Sequence, residues 1–226
     1  MIDTVNSASR IALLANNGAT VNLMGPSIEV TVSASNNEST TFAGIRATDG
    51  ATLNLGGDET KNINVSVNVS GNAPTKDIVG PTAIGINALT KDPQSAPELF
   101  VSAENLVVNV HSEDGYAYGI QVQNGTQEST AKKATLVINA KNTLINATSG
   151  REGGYANGIV AFSEGQLAIN GNLEVNSENV ISARGDAVIR INESGENKVV
   201  LNGNMDFNYD GPTSGTKVDA DVLVNL

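Results

Sequence analysis

The residues with the most chemistry to offer lie in two short stretches, Asp114 to Tyr118 and Arg151 to Tyr155. The chain has four tyrosines and no tryptophan, and three of the tyrosines are here: Tyr116, Tyr118 and Tyr155. Tyr116 and Tyr155 occupy matching places, in Gly115-Tyr116-Ala117 and Gly154-Tyr155-Ala156. If the two segments are neighbours in space, the rings stack. Stacked rings serve as a packing ladder at the edge of a fold, or as an amphipathic stripe that contacts a sugar or a protein surface. Asp114 and Arg151 add one charge of each sign beside the stripe. These five residues are the candidate binding set.

Other chemistries are poorly supplied. With one histidine and no cysteine, the chain cannot build thiol catalysis, a disulfide or a zinc site that needs two of these ligands. His111 falls at a strand end and reads as an exposed turn residue. Gly56-Gly57-Asp58 resembles one unit of a calcium-binding repeat, but that motif must recur at short intervals to supply ligands and here it occurs once. Asp219 and Asp221 read as surface residues. Glycoside hydrolysis needs two carboxylates facing each other across a groove, and the Asp and Glu residues fall mostly in loops. Arg46, Asn87 and Gln121 share one column of the repeat described below, and that column has no carboxylate. The sequence therefore points to no catalytic residue, no metal ligand and no cofactor.

A net charge of −11 disfavours binding to nucleic acid or to anionic lipid surfaces. No apolar run approaches the length of a spanning helix, so no membrane insertion is expected. Met1 to Arg10 lacks the basic and apolar regions of a secretory signal.

The elements that must position these residues are strands. Ile63, Val65, Val67 and Val69 alternate with Asn64, Ser66 and Asn68, and Ile28, Val30 and Val32 alternate with Glu29 and Thr31. Period two with β-branched residues predicts half-buried strands. The strands also repeat. Asn17 to Leu23 aligns with Asp49 to Leu55, and Gln166 to Asn176 aligns with Lys198 to Asn208, both at an offset of 32 residues. A Gly-Ile marker recurs in Ala43-Gly44-Ile45, Ile84-Gly85-Ile86, Tyr118-Gly119-Ile120 and Asn157-Gly158-Ile159. The common offset adds Leu13 and Ile191 to this column.

Within each unit a second strand carries paired apolar residues: Val21/Leu23, Leu53/Leu55, Leu99/Val101, Leu136/Ile138, Leu167/Ile169 and Val199/Leu201. A third carries Ile28/Val30, Ile63/Val65, Leu106/Val108, Leu144, Leu173/Val175 and Met205/Phe207. The predicted fold is all-β, a parallel β-helix of six to seven coils with three short strands per coil. It is a single domain over residues 1–226, with coils beginning near 10, 42, 83, 117, 156 and 188. A coil cannot bury its inner face alone, so stacking stabilises it. The largest expected loops are Ser70 to Pro81, Thr90 to Pro97 and Gln123 to Lys133.

The phrases Gly115-Tyr116-Ala117-Tyr118-Gly119-Ile120 and Gly153-Gly154-Tyr155-Ala156-Asn157-Gly158-Ile159, with the Asn/Ser/Thr/Gly-rich, cysteine-free composition, resemble passenger segments of bacterial autotransporters. The resemblance runs from about Arg10 to Asp210. It implies a right-handed β-helix secreted across the outer membrane, often adhesive, and tethered by a C-terminal barrel that lies outside this chain. The serine-protease motif Gly-Asp-Ser-Gly-Gly of some passengers is absent. The expected function is adhesin-like contact through loops on a rigid rod. Expected partners are a host or bacterial surface protein, matrix or glycan, with self-association a further expectation. A carbohydrate-active β-helix enzyme and a passive stalk are the alternative readings.

Overall fold

The computed structural model describes residues 10–72, 79–90, 94–124, 133–151, 153, 155–206 and 221–225. Much of each expected loop (residues 73–78, 91–93 and 125–132), together with Phe207 and Asp219, lies outside the described residues. The strands in chain order are β1 (Arg10–Ala15), β2 (Thr20–Leu23), β3 (Ser27–Ser35), β4 (Thr41–Thr48), β5 (Thr52–Gly56), β6 (Asn62–Ser70), β7 (Thr82–Thr90), β8 (Glu98–Ser112), β9 (Ala117–Asn124), β10 (Thr135–Ser149), β11 (Ala156–Phe162), β12 (Gln166–Arg184), β13 (Val188–Ile191), β14 (Val199–Asp206) and β15 (Asp221–Val224). They form one sheet system in which the strand pairings are parallel, and no helix occurs among the described residues.

The pairings fall into three ladders. In the first, Leu13, Ile45, Ile86, Ile120, Ile159, Ile181 and Met205 are successive partners. In the second the series is Val21, Leu53, Leu99, Leu136, Leu167, Ile189 and Val222. In the third it is Ile28, Ile63, Leu106, Thr143, Leu173 and Val199. Most of these side chains are fully enclosed, and the inward faces of the ladders share one core. Each Ile or Leu so buried contributes roughly 1.5–3 kcal/mol relative to exposure. Because the partners are of one kind, the same contact recurs from pass to pass.

The Gly-Ile marker lets the ladders approach. Gly44 and Ile45 are both buried although adjacent, and the pairing of β1 with β4 skips the position of Gly44. A Cβ at Gly44 would stand 2.6 Å from Val65 Cγ1 on the third ladder and 2.9 Å from the Gly85 carbonyl oxygen.

The structure corrects the sequence-based expectations in four places. First, Ile191 does not join the Gly-Ile column; it pairs with Ile169 in the second ladder. The sixth pass begins at Asn179, inside β12, rather than near 188. No long loop interrupts the 19 residues of β12, so this pass closes sooner than the others. Second, Val199 and Leu201 belong to the third ladder, opposite Leu173 and Val175, and Met205 to the first. The likeness of Gln166–Asn176 to Lys198–Asn208 is thus one of residue type and not of register. Third, Leu144 points outward, while its neighbours Thr143 and Ile145 are buried. Fourth, His111 is an exposed residue within β8 and not in a turn, and its Nδ1 lies 2.9 Å from Thr148 Oγ1.

Asn192 closes the second ladder's last described corner. It is buried with φ 52°, a region that asparagine tolerates better than most residues. Its amide donates to the carbonyls of Asn197 (2.7 Å) and Asn225 (3.0 Å).

Candidate functional site

The five residues singled out in the sequence come together at the start of β9 and β11. Ala117 N–H donates to the Tyr155 carbonyl at 2.9 Å, and Ala83 N–H to the Tyr116 carbonyl at 2.8 Å. This register sets Tyr116 beside Tyr155, with ring centroids 4.8 Å apart and planes inclined by 38°. Tyr118 stacks on Tyr116 at 5.4 Å and 24°. Arg151 Cζ lies 4.9 Å from the Tyr155 ring centroid, and Arg151 Nη1 is 3.7 Å from Asp114 Oδ1. The three rings are half-buried, and the Arg151 and Asp114 side chains are 18% and 27% exposed.

The turns that carry these groups are fixed by short side-chain bonds. Ser112 Oγ donates to the Pro81 carbonyl at 2.6 Å and accepts from Gly115 N–H at 3.0 Å. One pass further on, Ser149 Oγ donates to the Gly115 carbonyl at 2.8 Å and accepts from Arg151 N–H at 3.1 Å. Gly115 is required here, since a Cβ would stand 2.7 Å from the Gly80 carbonyl oxygen and closer still to that of Pro81. The result is a rigid edge offering aromatic faces, one cation and one anion.

Burial pushes the Tyr118 phenol well above its ordinary range; nearby Tyr116 adds to the shift and Arg184 opposes it. At neutral pH Tyr118 is therefore an uncharged hydroxyl that donates and accepts. A second cation–ring pair escaped the sequence reading: Arg184 Cζ lies 5.5 Å from the Phe162 centroid, and Arg184 Nη2 lies 3.3 Å from Asp206 Oδ2. Its only sequence signal is an aromatic residue and an arginine on strands whose pairing the repeat length does not reveal.

Arg46, Asn87 and Gln121 do share one column, in which Asn87 and Gln121 are buried and Asn87 Nδ2 donates to Gln121 Oε1. Burial pulls the Arg46 guanidinium below its ordinary value, and Arg46 Nε, Thr48 Oγ1 and Asn87 Oδ1 have no partner among the described residues. Among the described residues no carboxylate forms an ion pair with Arg46; the same register reaches Asp206 three passes beyond Gln121.

No cluster of three metal-ligating side chains occurs among the described residues. Gly57 and Asp58 line a hollow of about 660 Å³ with Met24, Pro26, Glu59 and Thr60. Thr60 Oγ1 closes the turn there, bonding the Gly25 carbonyl at 2.7 Å and Gly57 N–H at 3.1 Å. Among the described residues no helix is long and apolar enough to cross a membrane.

The sequence reading also missed the asparagine ladders. Asn54 Nδ2 donates to Asn22 Oδ1 at 2.7 Å and Asn170 Nδ2 to Asn139 Oδ1 at 2.8 Å, each across one pass. Their signal was the high asparagine content at repeat-equivalent positions. No family model matches the chain, and neither a curated protein nor a solved structure matches it.

Proposed function

We propose that the three ladders are the faces of a right-handed parallel β-helix, with six passes and the start of a seventh. On this reading the chain is a surface-displayed, adhesin-like passenger segment of the bacterial autotransporter kind. It is held at the outer membrane by a barrel beyond this chain, and it makes contact through groups presented on the rod. The observation that carries the reading is the Tyr116–Tyr155–Arg151 edge. Half-buried rings and a cation on pinned turns give a contact surface that loses little conformational freedom on binding. Partners of matching chemistry are a surface protein, a matrix protein or a glycan. Nucleic acid is disfavoured by the charge of −11.

The test is a screen of the purified chain against matrix proteins and a glycan array, with and without calcium, alongside Tyr155→Ala and Arg151→Ala. A ligand bound by the native chain and lost by both variants supports adhesion through this edge. Equal attachment by native chain and variants favours a passive stalk and sinks the proposal.

A further inference from the structure

The third ladder carries three parallel stripes on its outward side that the tyrosine edge does not use. At the corner with the second ladder, Lys198 N–H donates to Asn172 Oδ1 (2.9 Å), Asn172 Nδ2 to Asn142 Oδ1 (3.0 Å), Asn142 Nδ2 to Asn105 Oδ1 (2.9 Å) and Asn105 Nδ2 to Asn62 Oδ1 (3.2 Å). Four residues further along the same strands a second series runs from Asn202 to Asn176 (2.6 Å), to Asn146 (2.9 Å) and to Asn109 (2.8 Å). Between the two amide series lies the register Val107, Leu144, Glu174 and Val200. This middle stripe and the first amide series line a groove of about 570 Å³.

We propose that this groove binds a neutral, extended polysaccharide laid along the stack of strands. Asn142, Asn146 and Asn172 each use one N–H and one oxygen lone pair on their neighbours, which leaves the second of each for a ligand, whereas Asn105 and Asn176 donate a second time, to the Lys61 carbonyl and to Glu174 Oε1. A group that both donates and accepts is the complement of a sugar hydroxyl. Val107, Leu144 and Val200 give the C–H face of a sugar ring a dry surface, interrupted at Glu174. Lys198 and Glu174 are the charged groups in the lining, and their signs oppose. With the overall charge of −11, nothing here attracts a polyanion.

A peptide adding as a strand is a poor fit, because the groove lies on strand faces whose backbone groups are already engaged in the ladders. Strands stack at about 4.8 Å, comparable with one sugar residue of an extended chain. Two adjacent passes therefore present the same amide–apolar pair, Asn105–Val107 and Asn142–Leu144, to successive sugars, and in the next pass Asn172 is followed by the carboxylate of Glu174. Affinity comes from repetition, since no aromatic platform lines the groove. The inference does not rest on the tyrosine edge, which belongs to the first ladder.

The experiment is calorimetric titration of the purified chain with cellohexaose, xylohexaose, mannohexaose and chitohexaose, their disaccharides, and heparin. The expected result is binding of at least one neutral hexasaccharide with Kd below about 1 mM, and weaker binding of its disaccharide. Leu144→Asp and Asn142→Ala should each weaken it by about tenfold, while Leu14→Ser, at an exposed position on the first ladder outside the groove, leaves it unchanged. Circular dichroism and thermal melting establish that each variant is folded, and Leu144→Ser replaces Leu144→Asp if the charge unfolds it. Failure of all four neutral hexasaccharides to bind, preference for heparin, or binding unaltered in folded groove variants would each overturn the proposal.

Discussion

Arg151 lies across the face of Tyr155, with Cζ 4.9 Å from the ring centroid, while its Nη1 reaches to 3.7 Å from Asp114 Oδ1. The cation thus joins two features that the chain supplies from consecutive passes. A cation–ring pair at a partly exposed site is worth about 0.5–1 kcal/mol. Arg151→Ala, Tyr155→Ala and the double variant, compared by urea denaturation, should therefore show a coupling energy of about 0.5–1 kcal/mol. Raising the salt should reduce the Arg151–Asp114 part and spare the ring contact. Additive single-variant effects would mean that the two groups are merely adjacent.

Tyr118 makes alkaline pH a probe of the same edge. Its phenol is raised above the ordinary value by burial first and by Tyr116 second. A raised folded-state value means that the folded chain holds the proton after the unfolded chain has begun to lose it. The associated stability is complete below about pH 10, the ordinary phenol value. It is lost as pH rises from there through the higher folded value. Ultraviolet titration of phenolate absorbance should show one tyrosine ionising late, and Tyr118→Phe should remove that step and flatten the alkaline fall in stability. A Tyr118→Phe chain with an unchanged titration curve would exclude this assignment.

The Gly-Ile marker predicts a contrast between two glycines. Gly44→Ala puts a Cβ 2.6 Å from Val65 Cγ1 and 2.9 Å from the Gly85 carbonyl, where one neighbour is backbone and cannot rotate away. Overpacking of this kind costs about 1–3 kcal/mol. Gly195 has φ 72° and nothing within 4 Å of an added Cβ, so Gly195→Ala meets backbone strain without a clash. Its cost should be near 1 kcal/mol. Equilibrium denaturation should rank Gly44→Ala as the more damaging; the reverse order would mean that the ladders have room to part.

Much of the fold could be read from residue spacing, and the failures share one cause. Alternation located the strands, and the Gly-Ile marker set the register of four passes correctly through Ile45, Ile86, Ile120 and Ile159. The pairing of Tyr116 with Tyr155 followed from the same marker. Residue spacing is ambiguous at the sixth pass because Leu167/Ile169 and Leu173/Val175 are the same kind of pair. A likeness to Val199/Leu201 therefore cannot choose between ladders. The choice is made by a register shift between Asn176 and Asn179, where the strand turns a corner without a loop. Leu144 misleads for a related reason: Thr143 is polar and Leu144 apolar, yet the pleat turns Thr143 inward. The groove was hidden because its amide bonds span unequal separations of 43, 37 and 30 residues.

Thr143 is also where stability can be gained. It stands in the third ladder between Leu106 and Leu173, 3% exposed, and its Oγ1 has no hydrogen-bond partner among the described residues. A buried hydroxyl without a partner carries a desolvation cost of about 1–3 kcal/mol. Valine keeps the β-branched shape and puts a methyl group where the hydroxyl was, which suits the strand and its aliphatic neighbours. Thr143→Val should therefore raise stability by about 1 kcal/mol, read as a higher denaturant midpoint with an unchanged slope. Thr143→Ala should not reproduce the gain, because it opens a gap between Leu106 and Leu173 as it removes the hydroxyl. A Thr143→Val chain less stable than the native one would show that the hydroxyl is bonded in solution, by an internal water or by a rotamer that reaches a ladder carbonyl.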